Sequence, residues 1–158
     1  MKQRVVSLSD FGPAENMSLI EADIPTPGNG QIVVKNNAIG LNYLDTYFRS
    51  GLYPWPNNND IKIPGSEGVG YIHAVGSDVS DFKEGDRVSY VTPVGAYAEY
   101  AIINAAHAAK INVEVEDHDV VACTLKGLTT HYLLHLTTKV TSGMTTLVHA
   151  AAGGVGQL

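Results

Sequence analysis

Apolar residues follow a strand-like pattern through residues 1–110. Short β-branched and aromatic runs alternate there with turn signals; the runs are VVSL, MSLIEADI, QIVVKNNAIGLN, SEGVGYIHAVG, DRVSYV and GAYAEYAII. The prolines and glycines of PTPGNG and the EGD of FKEGD favour tight turns between them. The pattern predicts a mainly β domain with some helix, in which VVSL and MSLIEADI pair as the first two strands.

The first helical segment is predicted at NYLDTYFRSG, directly after the long QIVVKNNAIGLN run. Asn42 precedes this segment, and its side-chain oxygen suits an N-cap because it can accept a free backbone N–H. The sequence therefore predicts a strand that leads into a short helix with Asn42 at the junction.

A second helix is indicated by apolar residues spaced three and four apart; they are Val121, Leu125, Leu128, Tyr132 and Leu136. This spacing defines one face of an amphipathic helix. Asp117 or Asp119 can cap its start and complement the helix dipole. Gly127 costs about 1 kcal/mol relative to Ala inside a helix. It therefore indicates either a break between two helices or a place where a ligand approaches the backbone.

The chain ends with a predicted short strand, TTLVHAAA, that runs into GGVG. The spacing is Ala150-x-x-Gly153-x-x-Gly156, with Gly154 and Val155 inside it. A strand followed by such a turn allows backbone N–H groups to approach a pyrophosphate. The spacing alone fits a flexible turn equally well, because the downstream helix and acidic residue of a dinucleotide site are absent.

Composition narrows the class of protein. The chain has 158 residues, 44% hydrophobic residues and a net charge of −6. It has no Lys or Arg run, which argues against a nucleic-acid partner. Its apolar stretches are too short for a membrane span, and no leader opens it, so we expect a soluble cytoplasmic protein. Cys123, the single cysteine, rules out an intramolecular disulfide and is interpreted as a small core residue.

Three separated motifs together carry a family resemblance: GLNYLDTYFRSGLYP, KGLTTHYLL and HAAAGGVGQ. In this order they resemble the zinc-free quinone oxidoreductases of the medium-chain dehydrogenase/reductase superfamily, the ζ-crystallin-like group. The resemblance implies a GroES-like, partly open β-barrel catalytic domain at 1–125. It further implies a connecting helix and the first strand and glycine turn of a truncated, NADPH-binding Rossmann domain at 126–158. It also implies a homodimer for the full-length enzyme.

The resemblance places Asn42, Tyr47 and Tyr53 at the substrate and nicotinamide cleft. An amide and two phenols are neutral donors that can stabilise a quinone oxygen as it gains negative charge. From the residues alone, Asn42 can equally be only an N-cap, and the two tyrosines can be packing residues. Asp45, three residues after Asn42, is expected to orient the loop.

The resemblance assigns the remaining cofactor contacts to Asn42, Thr129 and the turn residues Ala150, Gly153, Gly154, Val155 and Gly156. The Thr129 hydroxyl matches the position that contacts the nicotinamide carboxamide, and a hydroxyl suits an amide because it both donates and accepts. Its simpler interpretation is an ordinary helix residue. Lys126 is expected to stay solvated.

No metal site is expected. Zinc-dependent relatives carry a cysteine where this chain has Asn42 and Gly-His-Glu where it has Gly65-Ser66-Glu67. A catalytic zinc needs three protein ligands, and these replacements remove them. His131 and His135 lie four apart on one helical face, but a third ligand is missing, so a helix surface is the favoured interpretation.

We therefore expect the intact enzyme to reduce quinones with NADPH. An alternative is NADPH-dependent reduction of an activated C=C bond in an enal, enone or enoyl thioester. A third interpretation is that the chain, as it stands, is a non-enzymatic β domain. We expect the 158-residue chain alone to be inactive and to bind NADPH weakly or not at all, and we expect TTLVHAAA to leave an unpaired edge.

Overall fold

The computed structural model describes residues 1–158 and contains seven strands and two α-helices. The strands are β1 Lys2–Leu8, β2 Met17–Asp23, β3 Gln31–Gly40, β4 Glu67–Val75, β5 Arg87–Val91, β6 Tyr100–Asn104 and β7 Ala108–Lys110. The helices are α1 Tyr43–Ser50 and α2 Asp117–His131. Every strand predicted within residues 1–110 is present, and only the three-residue β7 lacked a sequence signal.

The strands form two antiparallel sheets. β1 pairs with β2, as the sequence predicted, and the larger sheet has the order β6-β3-β4-β5-β7. Hydrogen bonds from Val6 N–H to the Tyr97 carbonyl at 2.9 Å and from Glu99 N–H to the Arg4 carbonyl at 3.1 Å join β1 to the segment before β6. The sheets are not closed into a continuous barrel, which confirms the mainly β, partly open GroES-like architecture.

The core lies on the larger sheet. Its fully buried side chains are Ile32, Val34, Ile72, Val88, Tyr90, Ala96, Ala101 and Ile103. Asn36 interrupts the apolar run of β3, and its side chain forms hydrogen bonds with polar groups at the core. Its amide oxygen accepts the Tyr90 hydroxyl at 2.9 Å, and its Nδ2 donates to the carbonyls of Ala96 and Ala98. Burial raises the pKa of Tyr90, so this hydroxyl keeps its proton.

The start of α2 differs from the prediction. Glu116 is the N-cap residue, and neither Asp117 nor Asp119 takes that place. The Asp117 carboxylate instead accepts from Arg87 Nη2 at 2.6 Å and from Asn37 Nδ2 at 2.7 Å, which ties the helix to the sheet. Asp117 therefore forms an ion pair with Arg87 of β5 and does not cap the helix.

The body of α2 is one continuous helix. It passes through Gly127 to His131 and continues as a π-helical turn at Tyr132–Thr137, so a break at Gly127 is wrong. Val121 is buried, but Leu128, Tyr132 and Leu136 are 56%, 52% and 64% exposed. The predicted helix is confirmed, but most of the side chains on its apolar face are exposed to solvent.

The terminal segment also departs from the expectation. The strand predicted at TTLVHAAA is wrong: residues 145–148 have no regular structure and residues 149–152 form turns, so the expected unpaired strand edge is not present. GGVG forms the predicted turn. Cys123 is exposed on α2, so its assignment to the core is wrong. Neither helix combines the length and apolar character that crossing a membrane requires.

Asp117 is expected to make stability sensitive to acid. The Asn37 hydrogen bond, with the Arg87 guanidinium, holds the pKa of Asp117 below its ordinary value of 3.8. The unfolded chain therefore takes up the proton first, and this contribution is lost as pH falls from 3.8 through the lowered pKa of the folded state. Asp117→Asn should lower the free energy of unfolding at neutral pH by about 1–2 kcal/mol.

Urea unfolding as a function of pH measures this effect. The stability difference between wild type and Asp117→Asn should vanish in strong acid. Asp60→Asn, in an exposed loop without a partner, is the control and should follow wild type throughout. An unchanged difference at all pH values would contradict the role of this carboxylate.

Candidate active site

Asn42 lies at the junction between β3 and α1. The Asp45 carboxylate accepts the Asn42 backbone N–H at 2.9 Å, and the Asp45 backbone N–H donates to the Asn42 backbone carbonyl at 3.0 Å. Gly51 ends the helix in the left-handed conformation, with φ of 78°. The predicted helix and the N-cap position of Asn42 are confirmed, but the Asn42 side-chain oxygen makes no cap hydrogen bond and accepts from Lys126 Nζ.

Asp45 is buried beneath this junction. Its carboxylate accepts the Ser66 hydroxyl at 2.6 Å and the Tyr97 hydroxyl at 2.7 Å, in addition to the Asn42 N–H. Burial, together with the Asp45 carboxylate that takes its hydrogen bond, raises the pKa of Tyr97. Three donors thus satisfy one buried carboxylate, an arrangement that suits the loop-orienting role expected for Asp45.

The Asn42 side chain faces a buried ion pair. Its Nδ2 donates to Glu67 Oε1 at 2.7 Å, and its Oδ1 accepts from Lys126 Nζ at 3.0 Å. Lys126 Nζ also donates to Glu67 Oε1 at 2.9 Å, and Leu125 N–H donates to Glu67 Oε2 at 2.8 Å. Glu67 is fully buried and the Lys126 side chain is 23% exposed, so the expectation of a solvated Lys126 is wrong.

Glu67 was missed as a site residue. The available signal was Gly65-Ser66-Glu67, which stands where zinc-dependent relatives carry Gly-His-Glu. A fully buried carboxylate needs a cation nearby, and Lys126 supplies it here. Gly40 leaves space for this carboxylate, because a Cβ at Gly40 would overlap the Glu67 side chain.

The glycine turn meets the same ion pair. A Cβ at Gly154 would come within 2.8 Å of Lys126 Cδ, so the turn packs against the lysine stem. The Thr130 hydroxyl shares its proton between the Lys126 carbonyl at 2.9 Å and the Val155 carbonyl at 3.2 Å, and so joins the turn to α2. The structure therefore brings Asn42, α2 and the glycine turn around Lys126.

The turn itself has the features of an anion cradle. Ala150 adopts a left-handed φ of 52°, and the Gly153 N–H donates to its carbonyl at 2.8 Å. The backbone N–H groups of Gly154, Val155 and Gly156 donate to no protein acceptor. Free N–H groups on successive small residues are what a phosphate oxygen requires.

Tyr47 and Tyr53 lie together but apart from the ion pair. Their ring centroids are 5.3 Å apart, and Tyr53 also packs edge-on against Phe48 at 5.6 Å. Tyr53 is 43% exposed, and neither hydroxyl has a protein partner. Tyr47 lies on α1 and Tyr53 lies in the segment that follows it, and no hydrogen bond joins either phenol to Asn42.

Thr129 lies on α2 one turn after Lys126. Its hydroxyl donates to the Leu125 carbonyl at 2.8 Å, which leaves its oxygen lone pairs as acceptors. On the same helix, His131 and His135 have ring centroids 4.8 Å apart. No group of three or more His, Cys, Asp and Glu side chains in the structure could hold a metal ion.

The described features are those of a mainly β domain in which the Lys126 ammonium contacts Asn42 and Glu67 and the lysine stem packs against the glycine turn. The family model for the alcohol dehydrogenase GroES-like domain matches residues 28–113, more than half of the chain. The chain therefore belongs to this family.

Curated relatives extend the similarity along the whole chain. A quinone oxidoreductase of Pseudomonas aeruginosa is 45% identical over 156 residues, which is 96% of this chain and 43% of that protein. A 2-haloacrylate reductase of a Burkholderia species is 37% identical over 93% of this chain and 45% of its own length. The chain thus spans about half the length of the curated relatives it matches.

Solved structures give the same result. A quinone oxidoreductase of Pseudomonas syringae superposes with a TM-score of 0.93 at 45% identity, over 100% of this chain and 48% of that one. The Escherichia coli quinone oxidoreductase complexed with NADPH superposes with a TM-score of 0.87 at 36% identity, over 99% of this chain and 47% of that one.

Removing Lys126 is expected to destabilise the fold through Glu67. Lys126→Met leaves a fully buried carboxylate without its cation, which should cost about 3 kcal/mol. Adding Glu67→Gln removes the uncompensated charge and should recover most of this loss. Chemical unfolding of the two variants measures the difference. Lys35→Met, an exposed lysine on β3, should stay within about 0.5 kcal/mol of wild type.

Gly127→Ala distinguishes an effect on helix stability from an effect on ligand binding. A Cβ there meets nothing within 4 Å, so the change should stabilise α2 by about 0.5–1 kcal/mol. If a ligand approaches this backbone, the same variant should also bind NADPH more weakly. Thermal unfolding of the 158-residue chain measures the first effect, and a loss of stability would contradict the open environment of Gly127. An NADPH titration measures the second effect on the same variant fused to the part of the Pseudomonas aeruginosa quinone oxidoreductase that lies beyond its match.

Proposed function

We propose that this chain is the acceptor-binding half of an oxidoreductase that reduces quinones with NADPH. The observation that carries the proposal is the meeting of Asn42 and the glycine turn at Lys126. The quinone oxidoreductases among the relatives support the same activity.

The glycine turn is the proposed place for the cofactor's pyrophosphate. The free N–H groups of Gly154, Val155 and Gly156 supply donors, and the packing of Gly154 on Lys126 leaves no room for a larger side chain. Ala150 and Gly153 shape the turn beside them. The residues present therefore fit a dinucleotide, and NADPH when bound supplies the reducing equivalents.

Thr129 and Asn42 are proposed to orient the nicotinamide end of the cofactor. The Thr129 oxygen has lone pairs that can accept from the carboxamide, because its own proton is already given to the Leu125 carbonyl. Asn42 lies between this helix and α1, so it can contact both the cofactor and the acceptor.

The acceptor is held by neutral donors in this proposal. Asn42 has one Nδ2–H beyond the one given to Glu67, and the Tyr47 and Tyr53 hydroxyls have no protein acceptor. These groups can donate to a quinone oxygen as its negative charge grows, without a second buried cation. The aromatic rings of the two tyrosines offer a flat apolar surface for the quinone ring.

A second candidate is reduction of an activated C=C bond conjugated to a carbonyl. The same donors would polarise that carbonyl, and the 2-haloacrylate reductase similarity favours this candidate specifically. A cytoplasmic homodimer without nucleic-acid or membrane partners completes the proposal, and the net charge of −6 without clustered cations is consistent with it.

The proposal can be tested with a fusion of this chain to the part of the Pseudomonas aeruginosa quinone oxidoreductase that lies beyond its match. The fusion should oxidise NADPH with duroquinone, a fully methylated benzoquinone that cannot add to the Cys123 thiol. Asn42→Ala should lower kcat/KM about 100-fold, the effect of losing one donor to a developing oxyanion. Asn59→Ala, in an exposed loop, is the matched control and should leave turnover unchanged.

The other outcomes assign or exclude the remaining candidates. Turnover of 2-chloroacrylate without turnover of duroquinone would move the assignment to C=C reduction. A fusion that binds NADPH but turns over neither acceptor would contradict both. The 158-residue chain without the fused part should bind NADPH weakly or not at all, and micromolar binding would show that the second half is not required.

A further inference from the structure

The Asn42 amide lies between two groups of opposite hydrogen-bonding character. The Glu67 carboxylate is an acceptor only, and it takes the Asn42 Nδ2–H at 2.7 Å. The Lys126 ammonium is a donor only, and it gives a hydrogen bond to Asn42 Oδ1 at 3.0 Å. Each end of the amide therefore meets the only kind of partner that it can use.

This arrangement permits one orientation of the amide. Turning the Asn42 amide by half a rotation would place its NH₂ group against the ammonium and its carbonyl oxygen against the carboxylate. Both contacts would be repulsive, and the full burial of Glu67 strengthens the penalty because water cannot screen it. A hydroxyl or a second amide beside Asn42 would not discriminate in this way, since such groups both donate and accept.

Lys126 and Glu67 are themselves held in place. Lys126 Nζ bonds Glu67 Oε1 at 2.9 Å, and Leu125 N–H bonds Glu67 Oε2 at 2.8 Å. The lysine stem packs against Gly154, and Gly40 leaves the space that the carboxylate fills. The ion pair is therefore a fixed reference for the amide, built from β4, α2 and the glycine turn.

One Asn42 N–H remains without a protein acceptor. Nδ2 carries two hydrogens and Glu67 takes one of them. We propose that the Glu67–Lys126 ion pair is a positioning pair that fixes the Asn42 amide with this remaining N–H available to the acceptor oxygen. The proposal rests on the proposed function, in which Asn42 contacts the acceptor. It makes the cleft selective for ligands that present a carbonyl or an anionic oxygen at this point.

The orientation of the amide can be measured on the 158-residue chain without any turnover. In wild type, nuclear magnetic resonance should show that one Asn42 Nδ2 proton exchanges with water about tenfold more slowly than the other, because the Glu67 carboxylate holds it. In the Glu67→Gln/Lys126→Met double variant this difference should disappear, since the introduced glutamine amide can both donate and accept. The double variant is used because it leaves no buried charge unpaired. Lys126→Met alone keeps the Glu67 carboxylate that accepts the Nδ2–H, so it should keep the difference in exchange. Lys35→Met should leave the difference intact.

Duroquinone then tests the use of the remaining N–H. Its titration should shift the second Asn42 Nδ2 proton in wild type, and its dissociation constant should rise about tenfold in the double variant. The double variant should regain the stability that Lys126→Met loses, but its affinity for duroquinone should stay low. That combination shows that the ion pair positions the amide and does more than stabilise the fold. Wild-type affinity in a double variant that folds would overturn the proposal.

The two hypotheses fail in different ways. If the double variant keeps the difference in exchange between the two Nδ2 protons, the ion pair does not orient the amide and the inference is overturned, whether or not duroquinone binds. If the difference is lost in the double variant but duroquinone moves no Asn42 signal in wild type, the orientation of the amide stands and the proposed contact with the acceptor is removed.

Discussion

The fully buried carboxylate of Glu67 is the constraint around which the cleft is arranged. A charge in that position requires donors from several directions, and it receives them from Asn42, Lys126 and the backbone of Leu125. These donors come from the α1 junction and from α2, which lie far apart in the sequence. Satisfying one carboxylate therefore fixes the relation between the sheet, both helices and the glycine turn.

A second buried carboxylate supports the first. Asp45 takes hydrogen bonds from Ser66, Tyr97 and the Asn42 backbone, and Ser66 precedes Glu67 in the chain. The backbone of Asn42 is thus held by one carboxylate and its side chain by the other. An amide anchored at both ends is rigid, which is the property that a donor to a short-lived charged oxygen needs.

Local patterns predicted the parts of this fold that depend on local chemistry. Strand alternation, turn residues and the N-cap position of Asn42 all depend on residues that are close together in the sequence. The ion pair was not predictable in this way, because Glu67 and Lys126 are 59 residues apart and a lysine is usually solvated. Asp117 failed as a cap for the same reason, since Arg87 lies 30 residues before it. The apolar face of α2 follows its pattern, whereas the strand predicted at TTLVHAAA does not form. A pattern does not say which surface will cover a face or pair with a strand.

The space between Gly40 and Glu67 has an evolutionary consequence. The hydrogen at Gly40 is all that fits beside the carboxylate, so the sizes of the two residues are linked although they belong to different strands. In related sequences, a side chain at the first position should be tolerated only where the second has become smaller. Such paired variation would show that the glycine at position 40 can be replaced only together with a change of the buried carboxylate at position 67.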